Sequence, residues 1–469
     1  MNGAWSLSDA TRQLPPAAPL QLNKTMRTVI LGAAESGVGA AILAQKEGHD
    51  VFVSDMGHIK DHYKEELTRR NIQWEEGHHT PELILSASQV IKSPGIPEDA
   101  PMILKLKEKN IPVISEIEFA ARYTKARMVC ITGSNGKTTT TSLIYHILKK
   151  AGYDVGLAGN IGHSLALQVA ETPHEWYVIE LSSFQLDDMF DFRANVAVLL
   201  NITPDHLDRY GFCMQNYVDA KMRIIRNQQA DDAFIYWTGD EHVPTELKKY
   251  DLKSRVLPFA DQPQAGAEGC ADGDTFRITS PVAFEMPMAE LSLPGKHNLR
   301  NCLAAAMAAL AAGAPASKVR EGLADFPGVE HRLEYVCEVN GVRYVNDSKA
   351  TNVDACNCAL ESMRTPVVLI IGGKDKGNDY AEIMPYVKQK CRALVYLGAD
   401  NAKLHANFDH LGLPVADTHN MADCVKACAE MAQAGDTVLL SPCCASFDLF
   451  HNMEDRGEQF KARVREMKA

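Results

Sequence analysis

Residues 129–143, VCITGSNGKTTTTSL, constrain this chain more than any other stretch. An apolar, strand-forming entry at Val129, Cys130 and Ile131 runs into a turn of Gly133, Ser134, Asn135 and Gly136. Lys137, Thr138, Thr139 and two further threonines follow, then apolar residues at the helical positions Leu143, Ile144, Ile147 and Leu148. Strand, glycine turn and helix in that order are the layout of a phosphate-binding loop. Glycines let backbone N–H groups face an anion, and the helix N-terminus adds about half a positive charge. Lys137 is expected at the β- and γ-phosphates of a nucleoside triphosphate, and the Thr138 hydroxyl at Mg²⁺. The strict pattern G-x-x-x-x-G-K-[ST] wants glycine where this chain has Ile131, so the loop is a shortened form. An ordinary glycine turn before a helix is the bland alternative; the order glycine, lysine, hydroxyl favours the nucleotide.

The length of 469 residues predicts about three domains of ordinary size. Apolar content of 46% and charged content of 23% suit globular cores. A net charge of −12 argues against a general nucleic-acid binder, while local lysines and arginines leave room for small anionic substrates. Residues 1–25 are polar and Pro/Ala-rich, lack the apolar centre of a signal peptide, and read as a disordered extension. No apolar run reaches the ~18 residues of a membrane span, so no membrane insertion is expected. Twelve cysteines without a secretory signal predict reduced thiols in a cytoplasmic protein. Cys356/Cys358, Cys424/Cys428 and Cys443/Cys444 lack the spacing of a zinc site.

The first domain, 26–117, reads as strand, glycine turn, helix, strand, the beginning of a Rossmann-like fold. Its glycines are Gly32, Gly37 and Gly39, but Ala34 stands at the second glycine of the dinucleotide fingerprint, which therefore fails. Asp55, ending the second strand, is either a ribose ligand or a surface aspartate. Ser93 and Gly95 sit in a turn after a further strand, where ligands of parallel sheets lie.

A central domain, 118–328, carries the phosphate loop, Asn160 in a GNIG turn, a strand ending at Glu180, then Gln185, Asp205 and His206. Glu180 and His206 are candidate metal ligands, because strand ends downstream of a phosphate loop face its phosphates. A solvated carboxylate and a turn histidine bonded to Asp205 or Asp208 are the alternatives. Lys221, at the expected start of a helix, reads alone as a surface lysine. Residues 239–290 suggest a small antiparallel or mobile insertion. Asn298 and Asn301 share one helical face and either read an adenine edge or cap the helix.

From 329 to 469 several strands each end in polar or glycine residues, which indicates a doubly wound α/β domain. Arg332, Asp347, Lys349 and Lys376 gather at those ends and mark a second ligand surface.

The set GSNGKTT, GNIG, ELSSFQL, NITPDHLDRYG, PGKHNLRN, HRLE, NDSKATN, GGKDKG and LSPCCASFDLF resembles the Mur ligases of peptidoglycan precursor synthesis. It runs in order from about residue 26 to the end, and NDSKATN and LSPCCASFDLF resemble the D-glutamate-adding branch. The resemblance implies an α/β protein of three domains: Rossmann-like, P-loop ATPase-type and doubly wound. It implies ATP-driven amide formation between UDP-N-acetylmuramoyl-L-alanine and D-glutamate through an acyl phosphate, by a cytoplasmic monomer. Gly133, Ser134, Asn135, Gly136, Lys137, Thr138 and Thr139 would cradle ATP. Asn298 and Asn301 would contact adenine, Arg332 the γ-phosphate and Asp347 the ribose. Two Mg²⁺ sites would draw on Thr138, Glu180, His206 and Lys221, the last as a carbamate derived from CO₂. Lys137, Lys221, His206, Glu180 and Arg332 would carry the catalysis. Asp55, Ser93 and Gly95 would face the uridine diphosphate, with Asn160 and Gln185 near sugar and phosphates. Lys349, Thr351, Lys376, Ser446 and Phe447 would position D-glutamate. A sibling Mur ligase, a folylpolyglutamate synthase-like enzyme and a non-catalytic nucleotide-binding regulator are the competing readings.

Overall fold

The computed structural model describes residues 26–375 and 377–468; the expectations for residues 1–25 and for Lys376 lie outside the described residues. The chain forms two units, 26–124 with Ser164–Thr172, and Lys125–His163 with 173–468.

In the first unit, Arg27–Leu31 (β1), Asp50–Asp55 (β2), Gln73–Glu76 (β3), Gln89–Lys92 (β4) and Val113–Ile114 (β5) form one parallel sheet. Its order, β3-β2-β1-β4-β5, reverses between β1 and β4, so the loops leaving those strands are neighbours. They meet closely: a Cβ on Gly32, whose φ is +94°, would lie 2.6 Å from Ser93 Cβ. The Glu35–Lys46 helix then turns back over the loop, and a Cβ on Gly37 would lie 1.9 Å from the Gly32 carbonyl oxygen. The Leu165–Glu171 helix, which follows the GNIG turn in sequence, packs against the Glu35–Lys46 helix in this unit. Buried Glu116 receives its first turn, accepting from Ser164 Oγ at 2.7 Å and Ala166 N at 2.6 Å.

The second unit holds two sheets. Arg127–Thr132 (β6), Val155–Gly159 (β7), Trp176–Glu180 (β8), Val196–Leu199 (β9), Ala233–Trp237 (β10) and Arg255–Phe259 (β11) run parallel. Gly269–Asp272 (β12), Thr275–Ile278 (β13) and Phe284–Pro287 (β14) extend the same sheet, with antiparallel β12–β13 and β13–β14 pairs. The stretch 239–290 is thus part of the central sheet rather than a separate insertion. Its short strands bury alternate residues, as expected where one face of a sheet is covered. The covering element is the Lys296–Ala311 helix, whose run Ala304–Ala309 is fully buried and holds nothing larger than Met307. Small side chains let it lie close against the Lys137–Lys150 helix and β10.

In the order β14-β13-β12-β11-β10-β9-β6-β8-β7, successive strands leave β6 in opposite directions. The loop after β6 therefore lies beside the loop after β9. Glu334–Val339 (β15), Val342–Asn346 (β16), Val367–Gly372 (β17), Cys391–Leu397 (β18), Val415–Thr418 (β19) and Thr437–Cys443 (β20) make the last sheet. Its order is β15-β16-β20-β17-β18-β19, parallel except for the β15–β16 hairpin. The final strand, β20, slots between β16 and β17, which sets three strand-end loops side by side.

Gly37→Ala should lower stability by about 1–3 kcal/mol, since the clash is with backbone and cannot be relieved by a rotamer. Urea unfolding of the full chain checks this; an unchanged midpoint would contradict the packing.

Candidate active site

Gly133 and Gly136, with φ of +145° and +86°, shape the loop between β6 and its helix. The chain after β9 holds it from below. Ser134 N donates to the Asn201 carbonyl and Asn135 N to Asn201 Oδ1, each at 2.8 Å. Ser134 Oγ donates to the Thr203 carbonyl at 2.9 Å and lies 3.1 Å from the Tyr217 hydroxyl. Lys137 Nζ curls back to the carbonyls of Gly133 (2.8 Å) and Ser134 (2.9 Å). Burial pushes its pKa down, against the upward pull of Glu180 and Asp205. Glycine at 136 also admits an amide: a Cβ there would lie 2.4 Å from Asn301 Oδ1.

Lys221 is fully buried near the end of the Met214–Met222 helix, one turn after Tyr217, and is neither at a helix start nor on the surface. Its Nζ donates to the Gly133 carbonyl at 2.8 Å and lies 4.6 Å from the centre of the Tyr217 ring. Burial, then repulsion from Lys137, holds its pKa well below the ordinary lysine value. Glu180 is buried at the end of β8 rather than solvated. Its Oε1 accepts from Asn160 Nδ2 at 2.8 Å. His206 stands on an exposed turn with φ of +51°, 3.5 Å from Asp205 and with its ring against Phe184.

Three polar atoms here are buried without a hydrogen-bond partner among the described residues: Thr139 Oγ1, Glu180 Oε2 and Arg332 Nε. Leaving such groups unpaired costs about 1–3 kcal/mol each, more for charged ones. The bare carboxylate oxygen of Glu180 is a hard donor of the kind Mg²⁺ takes, and an unpaired guanidinium N–H fits a phosphate oxygen.

The two sheets share a cleft of about 670 Å³, lined by Asn135, Gly136, Thr139, Asn298, Asn301, Arg332 and Asp347 among others. That volume is in the range of small-molecule sites. Asn301 Nδ2 donates to Asn298 Oδ1 at 3.3 Å, and Asn298 Nδ2 to the Pro294 carbonyl at 2.8 Å. Asp347 is buried at the end of β16, accepting from Ser441 Oγ at 2.8 Å and Leu333 N at 3.2 Å. Burial pushes its carboxyl up to about 7, with Arg332 pulling the other way. Lys349 is held below its ordinary value by burial and then by Arg332. Thr351 and Phe447 are exposed, and Ser446 is buried.

Several residues proposed from sequence also have structural duties. Asp55 accepts from Ala33 N and Gly57 N, both at 2.7 Å, and so braces the glycine turn. Ser93 and Gly95 sit in the loop after β4 of the same unit. In the second unit, Gln185 closes a capping box with Ser182, and Asn160 orients Glu180. Asn201, Thr203, Asp205 and Tyr217 brace or surround the phosphate loop and were not singled out for it from sequence; the NITPDH run was the available signal.

Fold and site together define a nucleotide-handling α/β protein in which a phosphate loop on one sheet and cationic strand ends on another share a cleft. Family models match the chain as MurD N-terminal domain over residues 28–102, Mur ligase middle domain over 131–309 and Mur ligase, glutamate ligase domain over 331–444. A UDP-N-acetylmuramoylalanine--D-glutamate ligase of Bacteroides thetaiotaomicron is 63% identical over 442 residues, covering 94% of this chain and 100% of that protein. One of the same name from Porphyromonas gingivalis is 56% identical over 441 residues, covering 93% and 98%. A solved UDP-N-acetylmuramate-alanine ligase from Thermotoga maritima shares the fold at a TM-score of 0.60, with 18% identity over 94% of this chain and 99% of that one. The chain belongs to the Mur ligase family.

Asp347 supplies a test of the site's electrostatics. Below the ordinary aspartate range, the folded and unfolded chains are both protonated there. Between that range and about 7 the unfolded chain ionises first, so this group makes folding less favourable as pH rises, by about 1.4 kcal/mol per unit. Asp347→Asn cannot titrate. Its stability relative to the wild type should therefore improve between pH 5 and pH 8 in urea unfolding; a constant difference would contradict the raised value.

Proposed function

We infer that this chain is an ATP-dependent ligase that joins D-glutamate to UDP-N-acetylmuramoyl-L-alanine. The names of relatives up to 63% identical over their whole length support the substrates. The observation that carries the mechanism is the unpaired trio of Thr139 Oγ1, Glu180 Oε2 and Arg332 Nε around a loop crowded with lysine charge. We place the domain boundaries at 26–117, 118–328 and 329–469, with Asp55, Ser93 and Gly95 assigned to the uridine diphosphate and Asn160 and Gln185 to the sugar and phosphates.

A carboxylate is a poor electrophile and repels a triphosphate. Lys137 and Arg332 offset that repulsion and orient the γ-phosphoryl group toward the carboxylate of the L-alanine. A C–O–P bond forms as the bond from the γ-phosphorus to the β–γ bridging oxygen breaks, giving an acyl phosphate and ADP. D-glutamate, held by Lys349, Thr351, Ser446 and Phe447, presents its amine to the acyl carbon. The tetrahedral adduct expels phosphate, the amine gives up a proton, and the amide remains. Asn298 and Asn301 hold adenine, and Asp347 the ribose. Thr138, Glu180 and His206 would hold Mg²⁺, which supplies charge neutralisation for the transferring phosphoryl group.

Lys221 completes this set as a carbamate. Only a neutral amine attacks CO₂, and the lowered pKa of Lys221 favours that form. Carbamylation, with loss of one proton, turns the buried amine beside Lys137 into an anion able to ligate a metal.

Phosphate release should require ATP, UDP-N-acetylmuramoyl-L-alanine and D-glutamate together. Release with a different amino acid in place of D-glutamate would point to a sibling ligase, and release without the UDP-sugar would overturn the reading. Lys221→Ala should lose most activity and regain part of it with added formate or acetate; full activity without rescue would exclude the carbamate.

A further inference from the structure

We propose that Arg456 is a positioning residue for the acceptor amino acid, fixing the loop after β16 against the loop after β20 without touching substrate. The proposal rests on the assignment of those loops to D-glutamate. Arg456 lies in the first turn of the Met453–Glu466 helix and is 1% exposed, the bulkiest fully buried side chain among the described residues. A guanidinium is buried at high cost unless its donors are paired. Here Nε donates to Ser348 Oγ at 2.9 Å, Nη2 to the Ser348 carbonyl at 2.8 Å and Nη1 to the Cys444 carbonyl at 3.1 Å. Ser348 Oγ in turn donates a hydrogen bond to the Met453 carbonyl at 2.7 Å. One side chain therefore ties the residue before Lys349 to the residue two before Ser446.

The loop after β17 joins at the same point. Lys374 N donates to the Ala445 carbonyl at 2.8 Å. A Cβ on Gly373 would lie 2.4 Å from that carbonyl oxygen and 3.3 Å from Arg456 Nη1. The next helical residue extends the same turn toward the nucleotide side. Gly457 leaves room for His331, whose Nδ1 would lie 2.2 Å from a Cβ there, and Lys349 N donates to the His331 carbonyl at 3.0 Å. Cβ-free packing and a three-point fork leave the acceptor loops one relative position. D-glutamate carries two carboxylates, so an error in the spacing of those loops weakens its binding selectively. A lysine keeps the charge but is a point donor and cannot reproduce the planar fork.

The test compares Arg456→Lys and Ser348→Ala with wild type in the full-length enzyme, measuring KM for each of the three substrates and the thermal midpoint. Arg456→Lys should raise KM for D-glutamate tenfold or more, and Ser348→Ala several-fold. KM for ATP and for UDP-N-acetylmuramoyl-L-alanine should stay within twofold in both. An unchanged KM for D-glutamate in either folded variant overturns the proposal. So does an equal rise in all three KM values, which marks a merely structural arginine. If Arg456→Lys fails to fold, Ser348→Ala, which keeps the guanidinium, decides alone by the same criterion. If wild type uses a different amino acid, the substrate assignment falls, and the same selective rise is then read on that amino acid.

Discussion

The carbonyl oxygen of Gly133 accepts a hydrogen bond from Lys137 Nζ and another from Lys221 Nζ, each at 2.8 Å. Two buried amines on one oxygen repel each other whenever both are protonated. Among the described residues no ion pair relieves this: Glu180 spends one oxygen on Asn160 and leaves the other unpaired. The arrangement holds because the loop is clamped elsewhere, by Asn201 and Thr203 at the end of β9. Backbone hydrogen bonds fix the shape of the site, so its side-chain charges remain for the reaction.

Strand order explains how residues more than two hundred positions apart share that site. Each sheet sends successive strands to opposite sides of a central one, and loops beside a reversal point become neighbours. In the central sheet this pairs the phosphate loop with the chain after β9. In the last sheet β20 arrives late, between β16 and β17, and brings Ser446 beside the Lys349 loop. Arg456 then acts on loops whose neighbourhood is already set by topology; it refines a position and does not create one.

Local patterns were readable where local chemistry dictates structure. The phosphate loop, the strand ending in Glu180 and the alanine-rich helix each carry their own turn, periodicity or charge signal. What escaped were relations between distant segments. The four- and five-residue strands of 239–290 are too short to show their partners, and only the pairing of β11 to β10 and of β12, β13 and β14 onward from β11 makes them one sheet. The Leu165–Glu171 helix reads as central-domain sequence, yet it docks in the first unit because buried Glu116 and side-chain-free Gly39 form its seat. Lys221 looked exposed because nothing in AKMR announces a helix end buried over Gly133. Asn160 and Gln185 looked like ligand contacts, and their amide and carbonyl groups also bind their own chain.

Burial moves four charges of the site in one direction, toward neutrality. Lys137, Lys221 and Lys349 are pushed down, and Asp347 is pushed up. An anionic phosphate beside the lysines reverses that push, because it stabilises their protonated forms. Phosphate binding and protonation of these lysines are therefore thermodynamically linked. The same low-dielectric surroundings that suppress charge before binding strengthen each contact to phosphate afterwards. A solvent-exposed lysine cluster would bind ATP as a counterion atmosphere does, loosely and without direction. Here burial favours an accompanying anion for each lysine charge, and the clamped backbone makes the contacts directional. Those are the two properties needed to hold a triphosphate, a carboxylate and a dicarboxylic amino acid together long enough for an amide to form.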